Sequence, residues 1–408
     1  MKEIDHTPVR TQPLPLEFPG AHYMDEEEVE AAARVLRARS PFRYYGPKVQ
    51  NEARALERDL AEFLGVPHAL AVSSGTGALH VALAALGVGP GKEVIVPAYL
   101  WAAILSAVVN RGAIPVLADI DESFCLDPAA VERAITPRTA GIVLVHMSGA
   151  PGDAPALAAL ARSRGLFLLE DCAQCAGGAI HGRRVGAFGD MAILSFQLNK
   201  NMTAGEGGAI ATGDFRLYQR AMACHDQGYA RDENGRMIFN VPELRLWGMG
   251  YRMDELRAAV LRVQLRKLPR IVEAMRRSKY RIRRALEKFP QVTLRRVIDA
   301  AGDTGCFLIT TYRDAAKAKT VQAALRAEGI ATAPQGNSNI LMTDWGLHLY
   351  YKNLSLFHHA SLDGRNYSKG VCPVADSLFE RSILLPSPSC LTAADEDDIR
   401  RAFEKVLA

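Results

Sequence analysis

Lys200 closes the stretch Ser195-Phe196-Gln197-Leu198-Asn199-Lys200, with the apolar run Asp190-Met191-Ala192-Ile193-Leu194 before it and Ala209-Ile210-Ala211-Thr212 after it. Both runs read as buried strands. The residues between, Asn201-Met202-Thr203-Ala204-Gly205-Glu206-Gly207-Gly208, are mostly small or polar. A lysine in such a place is either a surface residue on a connection or an amine lodged in the interior for chemistry. Burying an ammonium is expensive, and desolvation lowers its pKa, which is how Schiff-base lysines are made reactive.

Four further places could serve such an amine. Asp171 ends an apolar strand, where a carboxylate is costly unless it meets a cation. Gln174 follows three residues later. Ser74-Gly75-Thr76-Gly77 opens a helix, so its free amides and the helix dipole make either an anion site or a simple N-cap. Trp101 follows the strand Glu93 to Val96 and is either a core aromatic or a stacking face for a planar ligand. An anion cradle, a flat aromatic, a strand-end carboxylate and an interior lysine are together what pyridoxal phosphate requires. The phosphate takes the cradle, the ring takes the aromatic face, the carboxylate keeps the pyridinium nitrogen protonated, and the lysine forms the internal aldimine.

The elements that must position these residues alternate. Strands are expected at Ala69 to Ser73, Glu93 to Val96, Ile114 to Ile120, Gly141 to Met147 and Leu166 to Leu169, the last followed by Glu170-Asp171. Helices are expected between them at Ala78 to Leu86, Leu100 to Asn110, Pro128 to Ile135 and Ala154 to Arg164. Strands that are apolar throughout, alternating with helices, indicate an α/β fold with a mostly parallel sheet covered on both faces. In such a sheet, ligands sit beyond the carboxyl ends of the strands. Upstream, Asp25 and Glu28 form a capping box for a helix through Arg39, and a second helix is expected from Val49 to Leu64. After Gly213 the rhythm changes to helices at Phe215 to Ala223 and Asp254 to about Lys288. A strand at Phe307 to Thr311 and helices at Ala315 to Glu328 and Ala393 to Leu407 follow. This divides the chain into an arm (1–24), a large domain (25–265) and a smaller C-terminal α/β domain (266–408). Gln335 to Lys369 is aromatic-rich and too long for a mere connection.

With 408 residues, 49% hydrophobic and 23% charged, the chain has the make-up of an ordinary soluble globular protein. A net charge of +4 over 49 basic and 45 acidic residues argues against a nucleic-acid footprint. No apolar run approaches the ~20 residues needed to span a bilayer. No secretory leader is visible either, so the cytoplasm is the expectation. Seven cysteines without framework spacing fit a reduced compartment.

From about Asp25 onwards the chain resembles the DegT–StrS sugar aminotransferases, which have the aspartate-aminotransferase-like fold. The resemblance rests on Ala71-Val72-Ser73-Ser74-Gly75-Thr76, Glu93-Val94-Ile95-Val96-Pro97-Ala98-Tyr99, Glu170-Asp171-Cys172-Ala173-Gln174, Val185-Gly186-Ala187-Phe188-Gly189-Asp190, the lysine block, and Tyr251-Arg252-Met253. It implies a large domain built on a seven-stranded sheet, with Lys200 carrying pyridoxal phosphate and shuttling the proton. It also implies that Asp171 pairs with the ring nitrogen, that Gln174 lies against the ring's phenolic side, and that Trp101 stacks. Gly75, Thr76 and Ser195 would bind the phosphate. Members are typically homodimers with the site at the subunit interface. Phe42-Arg43-Tyr44-Tyr45-Gly46 and Tyr350-Tyr351-Lys352-Asn353 are similar to a subgroup that includes an amino-octulosonate-forming aminotransferase. Three positions depart from the family pattern. Gly250 replaces an asparagine that reaches the neighbouring subunit's phosphate, Ala176 replaces a common histidine, and Leu100 a common threonine.

The reaction implied is transfer of an amino group from glutamate or glutamine to a keto sugar, cyclitol or related polyol ketone. Arg43, Tyr44, Tyr45, His348 and Lys352 are candidates to contact that substrate. Elimination or deoxygenation on the same cofactor is the alternative, although members with a dehydratase role carry histidine where this chain has Lys200. A non-catalytic regulator on the same fold would be expected to lack the lysine or the carboxylate.

Overall fold

The computed structural model describes residues 7–232, 235–331, 340–342 and 365–408. Helix α1 (Glu26–Arg37) starts where the capping box demands. Asp25 accepts from Glu27 N, and Glu28 returns the bond to Asp25 N at 3.0 Å. Helix α2 (Glu52–Leu64) begins three residues later than its pattern suggests, and its cap comes from far away. The Glu255 carboxylate accepts from Glu52 N at 2.7 Å and from Ala53 N at 3.0 Å, satisfying amides that no local side chain reaches.

Seven strands make the main sheet: β1 (His68–Val72), β2 (Glu93–Pro97), β3 (Ile114–Ala118), β4 (Thr139–Val145), β5 (Phe167–Asp171), β6 (Met191–Ser195) and β7 (Gly208–Thr212). Their order is β1-β7-β6-β5-β4-β2-β3. All run parallel except β7, which is antiparallel to both its neighbours, β1 and β6. This is the mostly parallel, aspartate-aminotransferase-like sheet expected from the sequence. Helices α3 (Gly75–Ala85), α4 (Ala102–Asn110) and α7 (Phe215–His225) pack an apolar core on one face. Helices α2, α5 (Pro128–Ala134), α6 (Ala154–Arg164) and the first half of α8 (Glu255–Leu286) pack the other. With both faces covered, the strands have no polar side to show. That is why they read as continuous apolar runs rather than alternating ones.

Beyond α8 a second, antiparallel sheet forms from β8 (Thr293–Leu294), β9 (Phe307–Thr311), β10 (Ile340–Leu341) and β11 (Ser382–Pro386), in the order β8-β9-β11-β10. Helices α9 (Ala315–Ala327) and α11 (Ala393–Leu407) cover it. Strand β11 and helix α10 (Pro373–Glu380) escape the sequence reading, because a five-residue apolar run beside prolines fits strand and loop equally. The described part of the N-terminal arm is tied down along its length. Arg10 N bonds Glu328 O, Leu14 N bonds Ala331 O, and Gly20 N bonds Lys200 O at 3.1 Å. Among the described residues, no helix is long and apolar enough to cross a membrane.

Candidate active site

Strands β1, β5 and β6 end on one cavity of about 360 Å³, and the start of α4, which follows β2, adds Trp101 to its wall. Lys200 lies in the connection from β6 to β7. These two strands pair antiparallel, Ser195 opposite Gly208, so the whole lysine block leaves and returns at the carboxyl end of β6. Asn201 Nδ2 bonds Ala176 O at 2.9 Å, and Thr203 Oγ1 bonds Phe196 O at 2.9 Å, which pins the block on both sides of the lysine. Gly208 is required by close approach: a Cβ there would lie 2.4 Å from Ser74 O.

Ser74, Gly75, Thr76, Trp101, Asp171, Gln174, Ser195 and Lys200 all line this cavity. The structure thus brings together every cofactor-site residue proposed from the sequence. Ser74 caps α3, its Oγ accepting from Gly77 N at 3.0 Å, which leaves the Gly75 and Thr76 amides at the helix N-terminus without intrahelical partners. A Cβ on Gly75 would stand 2.7 Å from the Ser195 Cβ, so only glycine lets the helix end approach β6 so closely. Trp101 sits at the N-cap of α4 and is 59% exposed, which rules out the core-aromatic reading.

Glu170 and Asp171 are both within β5, not beyond it, and point to opposite faces as successive strand residues must. Glu170 is completely buried and accepts from His146 Nε2 and from the amides of Gly186, Phe188 and Gly189, at 2.7 to 2.9 Å. Its neighbours His146 and Cys172 have ligand atoms close enough to share a metal. Yet His146 Nδ1 already accepts from Gly152 N, and the carboxylate is saturated by four donors, so the group is a structural brace.

Asp171 is buried with one side-chain hydrogen bond among the described residues, from Ala173 N to Oδ1 at 2.9 Å. Burial pushes its carboxyl pKa up, an effect opposed by that bond and by the Lys200 charge. Burial in turn pushes the Lys200 amine down, against the pull of Asp171. The two are not in ion-pair contact, and among the described residues no hydrogen bond engages the Lys200 amine. A buried carboxylate awaiting a cation, an uncommitted amine and free helix-end amides on one cavity fit pyridoxal phosphate. Asp171 would hold its ring nitrogen, Lys200 its aldehyde carbon, and the α3 amides with Ser195 its phosphate. The cofactor supplies an electron sink, and the chain supplies proton transfer and orientation.

Residues that no motif singled out also line the site. Met147, Asn199 and Glu206 join the cavity wall. A narrower cleft continues past Lys200 between the arm and the second sheet, lined by Glu17, Cys306, Phe307 and Ser387. Glu17, Cys306, Phe307 and Ser387 arrive by tertiary docking of distant segments, for which a local pattern carries no signal.

The proposed substrate contacts behave differently. Arg43 is buried in an ion pair with Glu57 at 2.7 Å and bonds Ala71 O, so its charge is already engaged. Tyr44 OH lies 3.3 Å from His225 Nε2, beneath the Arg231 guanidinium. Tyr45 is 73% exposed. Within one chain this turn does not reach the Lys200 cavity. His348 and Lys352 lie outside the described residues. Leu100 and Ala176, two of the departures from the family pattern, are buried and do not line this cavity.

Fold and site together are those of a pyridoxal-phosphate-dependent aminotransferase. Residues 22–404 match the DegT/DnrJ/EryC1/StrS aminotransferase family, and the chain belongs to it. It is 37% identical to an L-glutamine:2-deoxy-scyllo-inosose aminotransferase of Micromonospora echinospora, over 98% of this chain and 96% of that one. It is 35% identical to a UDP-N-acetyl-3-dehydro-alpha-D-glucosamine 3-aminotransferase of Acidithiobacillus ferrooxidans, over 82% and 83%. Among solved structures, 3-amino-5-hydroxybenzoic acid synthase superposes with a TM-score of 0.80 at 28% identity, covering 97% of this chain and all of that one. DesV of S. venezuelae, in complex with a ketimine intermediate, gives 0.80 at 30% identity, covering 97% and 98%.

Proposed function

We propose that this enzyme moves the amino group of glutamine to the ketone of a cyclitol or keto sugar, in the cytoplasm, through a Schiff base between Lys200 and pyridoxal phosphate. The observation that carries the reading is the shared cavity of Lys200, Asp171 and the free α3 amides. The donor and acceptor follow the relatives, one of which is named for glutamine and a keto-cyclitol and another for a 3-dehydro amino sugar. Lys200 would carry the proton between the cofactor and the substrate carbon, the group transfer requiring one mobile base on that side.

The working unit is a homodimer with the site at the subunit interface. The turn holding Arg43, Tyr44 and Tyr45 supports this, since it lines its own cavity with Arg231 rather than the Lys200 cavity. Across a two-fold it would face the partner's site, where the exposed Tyr45, with His348 and Lys352, would meet a polar ketone while the buried Arg43 holds the turn in place.

The test is an absorption spectrum of purified protein with cofactor, before and after glutamine or glutamate, followed by borohydride reduction and peptide mapping. The reading requires a donor-dependent spectral change and cofactor mass on the peptide containing Lys200. Label on another lysine, or no response to any amino donor, would overturn it.

A further inference from the structure

Met147 and Gln174 share one stretch of the cavity wall, and an unusual turn stands behind them. Residues Met147–Gly149 form a single tight turn in which Ser148 has φ 53° and Gly149 φ 79°. Glycine adopts that conformation freely, whereas serine does so at a cost. The turn is held from several sides: Cys175 Sγ bonds Gly149 O at 3.2 Å and Tyr99 OH lies 3.2 Å from Ser148 Oγ. Its three successive carbonyls accept from the segment that follows α8. Arg295 donates through Nη2 to Met147 O at 2.8 Å and through Nη1 to Ser148 O at 3.3 Å, while Thr304 donates through N and Oγ1 to Gly149 O, both at 3.0 Å. Arg295 Nε bonds Ser123 O at 2.6 Å, and Nη2 lies 3.4 Å from Cys125 Sγ, on either side of Phe124, itself at φ 57°.

Arg295 is 2% exposed, and among the described residues it makes no ion pair with a carboxylate. A guanidinium buried on neutral partners, three carbonyl oxygens and a thiol, is an expensive way to pack a core, where an apolar side chain of similar size would serve. Its effect appears on the other side of the turn. Ser148 N donates to Gln174 Oε1 at 2.8 Å, so the amide oxygen is taken and the NH₂ group is directed away from the turn.

We propose that Arg295 is a positioning residue: by clamping the 147–149 turn it holds Ser148 N against Gln174 Oε1, and so presents the Gln174 N–H to the phenolic oxygen of the cofactor. The proposal rests on the reading that pyridoxal phosphate occupies this cavity. It also makes the segment after α8, which is remote from Lys200 in sequence, a determinant of the cofactor's surroundings.

The experiment compares Gln174→Ala, Arg295→Met and the double variant as holoenzymes, reading the absorption maximum of the bound cofactor and its Kd. Gln174→Ala should move the band and raise the Kd tenfold or more, the scale of one lost hydrogen bond to a charged oxygen. Arg295→Met should move the band the same way, and the double variant should go no further than Gln174→Ala alone. Arg295→Lys, which keeps the charge and some of the carbonyl contacts, should shift the band partway, and it carries the test if Arg295→Met does not fold. A native band in the Arg295 variants, or additive shifts in the double variant, would overturn the proposal even if the melting temperature fell. A native band in Gln174→Ala would overturn it from the other end, while leaving the aminotransferase reading intact. Loss of that larger reading has its own signature, a wild-type protein that binds no cofactor.

Discussion

Asp171→Asn separates catalysis from packing, because the structure assigns opposite signs to the two effects. The side chain is buried and isosteric with asparagine, whose Oδ1 can keep the 2.9 Å bond from Ala173 N. Burial raises the carboxyl pKa above 3.8, so in cofactor-free protein the charged form is disfavoured by folding. A raised carboxyl pKa means that stability is lost as pH rises through 3.8 to the folded value, and the asparagine variant escapes that loss. At neutral pH the cofactor-free variant should therefore melt at the wild-type temperature or a few degrees above it. Catalysis should move the other way. A neutral amide cannot hold a ring nitrogen protonated, and losing a charge-assisted contact of about 3 kcal/mol in the transition state slows the reaction roughly 100-fold. The assay is the single-turnover half-reaction with glutamine, followed by absorbance, beside thermal melts with and without cofactor. Near-normal turnover would refute the role given to Asp171. So would a cofactor-free melting point many degrees below wild type, since it would make the carboxylate structural.

Two further outcomes follow from close contacts. Gly75→Ala places a Cβ 2.7 Å from that of Ser195, an overpacking worth about 1–3 kcal/mol, and should weaken cofactor retention measured by equilibrium dialysis far more than it changes the far-ultraviolet spectrum. Glu170→Gln turns an acceptor of four hydrogen bonds into a group with a donor facing donors, and should cost about 3–5 kcal/mol in denaturant unfolding at pH 7. Burial would raise the Glu170 pKa, but the His146 bond and the loop amides more than offset it. The wild type should therefore lose this stabilisation as pH falls below 4.5, and the variant should show no such loss.

What the sequence made legible was local. The capping box at Asp25, the apolar strands of the doubly covered sheet and the Ser74 helix start are each written in adjacent residues, and each stands where it was expected. Lys200, Asp171 and Ser74 could be assembled into one site because parallel strands put their carboxyl ends on one edge. The missing parts share a different cause. Glu17 reaches the Lys200 cleft through backbone bonds from Gly20 to Lys200 and from Leu14 to Ala331, pairings between segments far apart in the chain. The Glu255 cap on α2 and the Arg295 clamp are of the same kind. Arg43 is of a related kind: an arginine among aromatics suggests a ligand, and only the fold reveals Glu57 beside it. A charged residue's partner is a tertiary fact.

Gly250 carries that lesson to the one departure from the family pattern that the backbone can explain. Its φ is +70°, in the left-handed region, and its amide bonds Asp226 O at 3.2 Å. Among non-glycine residues, asparagine enters that region most readily, so the glycine here and the asparagine that the resemblance implies for the family suit one and the same turn. A Cβ on Gly250 would meet nothing within 4 Å. Gly250→Asn should therefore fold with a stability within about 1 kcal/mol of wild type, the scale of the strain set against the chain entropy a side chain removes. If the resemblance places this side chain at the neighbouring subunit's phosphate, the variant gains a hydrogen-bond donor there and should hold cofactor about tenfold more tightly, in line with a hydrogen bond to a charged group. Dialysis against a cofactor-free buffer, with melting in parallel, reads both numbers. Unchanged retention in a stable variant would mean that this turn does not reach a phosphate in this enzyme. A large loss of stability would mean that glycine is required for the fold of the turn itself.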